Sequence, residues 1–290
     1  MFTRNSGQFF LIFFGLYVIL DYMKIHDTHA HLDYLLKQNP ELKIDDLIKN
    51  HEFWIQPGVN LERDRYCLEN YLNYKNMFFM IGAHPGEVKD NWDLEEYLIG
   101  QQVLIRDFEK YIHNRIVAIG EIGLDYRLDT TDNTKNEQQL LFNIQIKLAK
   151  ELNFPFVVHC RDAFDDMFTI LESNLPFNKP FLIHCFTGNK DQLLKVEKLG
   201  GFCAFGGIVT YNNTPHINEA LIKSTKYVIE TDLPWLAPTP YRGKLNMPEY
   251  INNTIRYMAD KKDQSINQII STSRNNAITI FGPQIIDKHV

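Results

Sequence analysis

Residues Lys24 to Asp33 read Lys-Ile-His-Asp-Thr-His-Ala-His-Leu-Asp, crowding imidazoles and carboxylates into one short stretch. If Ile25 to Thr28 is a buried strand, side chains two apart point the same way, and His29 and His31 converge on one ion at its end. An isolated His-x-His is more often a polar turn than a metal site. Here, however, further donors stand where later apolar runs stop: Glu121, His159, His184 and Asp232. Any one of them alone is more often a hydrogen-bonded structural group. Six costly polar burials at one rim need a common purpose. Four imidazoles and two carboxylates suit a pair of divalent ions such as zinc, manganese or magnesium. Glu121 can bridge two ions with its two oxygens, and ions about 4 Å apart activate a water and stabilise the leaving oxygen of a displacement at phosphorus. Asp232 is the expected base that positions the water and takes its proton.

The elements that must deliver these residues follow from the periodicity. Apolar runs at Ile25–Thr28, Phe53–Val59, Met77–Ala83, Arg115–Ile119, Phe154–Val158, Pro180–Ile183, Gly201–Phe205 and Tyr227–Glu230 read as eight strands. Helical patterns separate many of them, at Leu42–Glu52, Glu62–Tyr74, Asp93–His113, Glu137–Leu152, Phe164–Glu172 and Asp191–Leu199, and two more helices fill Glu249–Phe281. Strands alternating with helices give an α/β protein with a parallel sheet, and eight of them a closed (β/α)8 TIM barrel as a single domain. In such a barrel the carboxyl ends of all strands share one mouth.

Around that mouth, Arg161 and Arg242 are candidate phosphate clamps, since a guanidinium presents a planar fork to phosphate oxygens. A salt bridge from Arg161 to Asp162, Asp165 or Asp166 is an equal alternative. His84, before Pro85, either donates to a phosphate or caps its loop. Tyr126, Phe186 and Trp235 flank the donors and could stack on bases, although packing is the commoner fate of such aromatics. His51, His113, His216 and His289 are assigned no role.

A formal charge of -6 argues against a surface that coats nucleic acid, but not against an enzyme acting on it through ions and a few arginines. The four cysteines show no Cys-x-x-Cys spacing and read as reduced thiols. Residues 1–22 stand apart from residues 23–290. Phe9–Leu20 is apolar apart from Gly15, resembles a signal hydrophobic region and is short for a bilayer span. The favoured reading is an upstream extension, with translation starting at Met23. Mass spectrometry of the native protein tests this: a peptide spanning Phe9 to Lys24 would exclude that start.

Several motifs together resemble the TatD family of metal-dependent deoxyribonucleases. They are Asp27-Thr28-His29-Ala30-His31-Leu32-Asp33, Gly82-Ala83-His84-Pro85, Gly120-Glu121-Ile122-Gly123-Leu124-Asp125-Tyr126, His159-Cys160-Arg161-Asp162-Ala163, His184-Cys185-Phe186-Thr187-Gly188 and Glu230-Thr231-Asp232-Leu233-Pro234-Trp235-Leu236-Ala237-Pro238. Arg242-Gly243-Lys244-Leu245-Asn246 continues the pattern, which runs from about Lys24 to Phe281. The resemblance implies a somewhat distorted TIM barrel of the amidohydrolase superfamily with two divalent ions. One ion would be held by His29, His31 and Asp232, the other by His159 and His184, with Glu121 bridging. It implies hydrolysis of DNA phosphodiesters, often from the 3' end, supported by Mg2+ or Mn2+, in a cytoplasmic protein linked to DNA repair or fragmentation. DNA, single-stranded or at 3' ends, is the expected partner; no stable protein partner is inferred, and membrane or secretory association is expected only if residues 1–22 are retained. The sequence departs from the pattern at Leu233, where the family has Ser, and at Met247, where it has an acid; the first is expected to remove a hydroxyl beside Asp232. The alternative enzyme is an amidohydrolase acting on a C–N or ester bond. Glu121 occupies the place where many such relatives carry a modified lysine, which favours the nuclease branch. A metal-binding module without catalysis is the reading from another class.

Overall fold

The computed structural model describes residues 24–89, 92–127 and 131–286; the apolar amino-terminal stretch, Met23 and His289 lie outside them. Eight parallel strands pair in chain order: β1 (Ile25–Asp27), β2 (His51–Gln56), β3 (Met77–Ile81), β4 (Ile116–Asp125), β5 (Phe156–Arg161), β6 (Phe181–Ile183), β7 (Phe202–Phe205) and β8 (Tyr227–Ile229). The seam between β8 and β1 is tied just beyond both strands. There the Thr28 amide and hydroxyl donate to the Ile229 carbonyl, the Asp232 amide to the His29 carbonyl at 2.9 Å, and the His31 amide to the Leu233 carbonyl at 2.9 Å. The result is a nearly closed (β/α)8 barrel.

The helices are α1 (Leu32–Gln38), α2 (Ile44–Ile48), α3 (Leu61–Tyr71), α4 (Leu94–Asp107), α5 (Asp132–Glu151), α6 (Phe164–Ser173), α7 (Lys190–Lys198), α8 (Pro215–Lys223), α9 (Ile251–Lys262) and α10 (Ile266–Phe281). Their starts carry local signals: Asn60, Asp93, Thr131, Asn189 and Ser265 each accept a first-turn amide, with full capping boxes at Asn189 and Ser265. No helix among the described residues is long and apolar enough to cross a membrane.

Strand alternation divides the core. Val157, Leu182 and Val228 stand two residues before His159, His184 and Glu230, so they share their inward face. They cluster with Phe53, Ile55, Phe78, Met80 and Ala204, and with Ala277, Ile280 and Phe281 of α10. The end of α10 lies beside Val117, Phe154, Pro155 and Lys179, at the strands' amino ends, and so stoppers the barrel floor. The other faces, carrying Trp54, Met77, Ile81, Leu124 and Phe181, pack under the helices in one large cluster.

Three sequence expectations are corrected. The second strand is His51–Gln56 rather than Phe53–Val59, and the helix before it shrinks to α2, because the chain enters the sheet early, with His51 beside Ile25. The fourth strand runs to Asp125 rather than Ile119: after a register shift, Gly123, Leu124 and Asp125 pair with His159, Cys160 and Arg161. Helices α1 and α8 were not expected, although buried Ile217, Ala220 and Leu221 give α8 a helical spacing.

At the mouth, β2 and β4 approach closely. The Gly58 amide donates to the Gly120 carbonyl at 2.9 Å, and the Glu121 amide donates to the Gly58 carbonyl at 3.0 Å. A Cβ on Gly58 would stand 2.6 Å from both the Gly120 oxygen and the Gly82 nitrogen, backbone atoms that cannot turn aside. Gly58→Ala is therefore expected to cost about 1–3 kcal/mol or more and to displace Glu121. Denaturant unfolding together with metal content after dialysis checks both effects.

Candidate metal centre

His29 and His31 lie in the turn between β1 and α1. The turn is held by the Trp54 indole N–H donating to the Ala30 carbonyl at 3.1 Å and the Leu32 amide donating to Gln56 Oε1 at 3.0 Å. Behind it, Asp27 accepts from the His29 amide, the Thr231 amide and the Thr231 hydroxyl, the last at 2.6 Å, so one buried carboxylate joins both sides of the seam. Burial pushes the Asp27 carboxyl up to about 7 against the pull of these hydrogen bonds.

Six expected donors come together in two groups. His29 Nε2 and His31 Nε2 face each other at 3.3 Å; Glu121 Oε1 is 3.5 and 3.3 Å from them, and Asp232 Oδ1 3.9 and 3.6 Å. On the other side, His159 Nδ1 and His184 Nε2 are 3.1 Å apart, and Glu121 Oε2 lies 3.3 and 2.8 Å from them. The rings of His29 and His184 stack with centroids 3.9 Å apart. His84 adds another imidazole: it, Glu121 and His159 have donor atoms within 4.8 Å of one another, while its Nδ1 accepts from the Gly86 amide at 2.9 Å. It therefore caps its loop and also faces the site.

The electrostatics are those of a site shaped for cations. Burial alone would raise Glu121, but His184, His29 and His84 more than offset it and hold the carboxyl well below its ordinary range. Burial lowers His29, and takes His84 to about 3 and His184 to about 4. Burial also opposes a charged His159, yet its hydrogen bonds to Asp125 and Glu121 lift it to about 9. Burial raises Asp232, partly offset by His184 and His31. In the first group, two ring nitrogens and two carboxylate oxygens converge in near-complete burial, and a single proton between the rings cannot satisfy all four. The donor set there fits a divalent ion, and His159, His184 and Glu121 Oε2 converge as a further set of donor atoms.

Several supporting groups were missed in the sequence. Asp125 Oδ2 lies 3.0 Å from His159 Nε2, fixing which nitrogen faces the site. Glu230, fully buried, accepts from the Cys185 amide at 2.6 Å and stands 3.9 Å behind His184 Nδ1. Asn246 donates to the Thr231 carbonyl at 2.8 Å. Asp125 follows Glu121 by four residues and so shares its face; reading β4 to its full length would have found it.

A cavity of about 580 Å³ opens above the donors, and its lining includes Tyr34, His84, Lys89, Arg161 and Trp235. Arg161 forms no ion pair among the described residues, while Asp166 instead accepts from Tyr126 and Gln139. Arg242 does not line this cavity; its guanidinium lies over Tyr211, 4.2 Å from the ring centre. Phe186 is core packing, and Trp235 stands at the rim. Leu233 is fully buried in the large core cluster, and Met247 packs against that cluster, so the first departure leaves the cavity wall untouched.

A (β/α)8 barrel gathering imidazoles and carboxylates at its mouth in this way has the architecture of a metal-dependent hydrolase. The family described as TatD related DNase matches residues 26–282, and the chain belongs to it. An uncharacterised metal-dependent hydrolase of Bacillus subtilis, YabD, is 31% identical over 89% of this chain and 98% of its own length. Another from Escherichia coli, YcfH, is 30% identical over 89% and 96%. The crystal structure of the Escherichia coli TatD homologue YjjV shares the fold with a TM-score of 0.79 at 24% identity, covering 89% of this chain and 98% of that one.

Asp125→Asn keeps the side chain's shape but removes the charge that orients His159. It is expected to weaken metal binding at the His159 and His184 group by about 10–100-fold, leaving the His29 and His31 group nearly unchanged. Calorimetric titration of metal-stripped protein with Mn2+ reads the two events separately.

Proposed function

We propose that this chain is a divalent-metal-dependent deoxyribonuclease that hydrolyses DNA phosphodiester bonds stepwise from 3' ends. The observation that carries the reading is the two-sided presentation of Glu121, with one oxygen toward His29, His31 and Asp232 and the other toward His159 and His184. In this reading each group would hold one ion, with Glu121 contributing an oxygen to each; Mg2+ or Mn2+ would support the activity, and the histidine-rich sets also suit Zn2+. Such ions supply Lewis acidity, lowering the pKa of water and balancing charge on the phosphate.

The chain's own residues do the rest. Asp232 orients the attacking water and accepts its proton; its side chain lines the cavity and keeps 12% exposure. Arg161 and His84 face the same cavity and donate to the phosphate oxygens. Arg242 takes no part in this reading. DNA is the one partner it requires, and four cysteines without a disulfide suit a reducing, cytoplasmic compartment.

The test is degradation of 3'- and 5'-labelled single-stranded DNA by metal-stripped protein with Mg2+, Mn2+ or Zn2+ restored. Expected is metal-dependent shortening from the 3' end, reduced at least about 100-fold in Asp232→Asn, the scale of a lost general base, and abolished in Glu121→Ala. Bound metal without cleavage would shift the reading to a small C–N or ester substrate.

A further inference from the structure

We infer that Trp235, braced by Tyr34, is a stacking site for a nucleobase next to the scissile phosphodiester, an inference that rests on the nuclease reading above. Trp235 follows Asp232 by three residues, in a turn where its amide donates to the Asp232 carbonyl at 3.1 Å. It lines the cavity above the donors yet is 44% exposed. An indole left half in water at the rim of a polar cavity offers a broad flat apolar surface to whatever enters that cavity.

The ring is also held in place. Its centroid lies 5.0 Å from that of His31 at 73° and 5.0 Å from that of Tyr34 at 59°. Neither contact is parallel, so no aromatic ring among the described residues stacks flat on the indole. Tyr34 is itself fixed: the Arg63 guanidinium sits 3.4 Å from its ring centre, and Arg63 pairs with Asp33, which accepts from Gln56 Nε2 at 3.0 Å. One face of Tyr34 is therefore taken, which leaves Trp235 as the platform and Tyr34 as its buttress. A ring fixed before binding loses little entropy on contact. The other flanking aromatics are committed elsewhere: Phe186 packs against Phe164 and Phe205, and the Tyr126 hydroxyl donates to Asp166.

Because His31 is one of the donors, a base on Trp235 stands within one nucleotide of a phosphate held there. Every base has a π-face, so the site is tolerant of sequence and selects for the presence of a base beside the cleaved bond. The occupant is a purine or pyrimidine of a single strand, whose unpaired bases turn onto the indole without first breaking base pairs.

The experiment pairs Trp235→Ala and Trp235→Phe with oligonucleotides whose 3'-terminal or penultimate nucleotide is abasic. The expected result is that KM for intact DNA rises about tenfold in Trp235→Ala, that one abasic position costs wild-type protein a similar factor, and that combining the two adds little. Trp235→Phe recovers most of the loss, and hydrolysis of a phosphodiester lacking bases suffers far less than that of DNA. Binding is read independently by tryptophan fluorescence with an oligothymidylate in the Asp232→Asn background, where quenching is expected and Trp235→Phe removes it. Quenching without wild-type cleavage would sink the nuclease reading and leave the stacking site standing. Cleavage by wild-type protein with no quenching, and no KM difference in Trp235→Ala, would overturn the stacking site alone.

Discussion

The arrangement at the mouth depends on one buried carboxylate. Glu121 is almost wholly removed from water, where an isolated carboxylate would sooner take a proton than stay charged. The imidazoles around it keep it ionised, and its two oxygens in turn divide those imidazoles into two groups. Neither group has a position of its own: move Glu121 and each loses the oxygen that faces it. Its backbone is therefore fixed with unusual closeness, by two hydrogen bonds to Gly58 at a place where no side chain fits on that neighbour.

The barrel's task is to bring the ends of β1, β5, β6 and β8 to that carboxylate. Two donors, Glu121 and His159, lie inside strands and inherit the rigidity of the β4 and β5 pairing, which continues beyond both. His29, His31 and Asp232 lie in turns, and turns are ordinarily looser. Here the turns are stitched across the β8 to β1 seam, where regular strand pairing gives out, by Asp27, Thr231 and two backbone bonds. The seam that leaves the barrel incompletely laddered is thus closed by the same contacts that align three donors.

Much of this was legible because donors stood at the ends of apolar runs, and a barrel turns a list of ends into a shared mouth. His29, His31, His159, His184 and Asp232 needed only that rule. The rule fails where hydrophobicity and pairing part company. The apolar run of the fourth strand stops at Ile119, but hydrogen bonding to β5 carries the strand to Asp125, hiding the partner of His159. Glu230 and Asp27 adjoin short apolar runs and show their purpose only through contacts 45 and 204 residues away. Tyr34 rides on a helix the periodicity did not reveal, and its relation to Trp235 is wholly tertiary.

The residue after Asp232 shows why sequence adjacency misleads about chemistry. Leucine in place of a family serine reads as a hydroxyl lost beside the proposed base. Asp232, however, adopts a left-handed backbone, φ 55°, a conformation aspartate tolerates better than most residues, and the chain reverses direction there. Its carboxylate turns to the cavity, while Leu233 turns into the core, donates its amide to the Thr231 hydroxyl at 3.2 Å and offers its carbonyl to the His31 amide. A leucine there exchanges polarity for apolar burial beneath the turn, and so firms the platform on which Asp232 and Trp235 stand. The side chains placed to meet a molecule in the cavity are those that line it, Tyr34, Lys89, Arg161 and Trp235 among them, rather than the nearest letter in the motif.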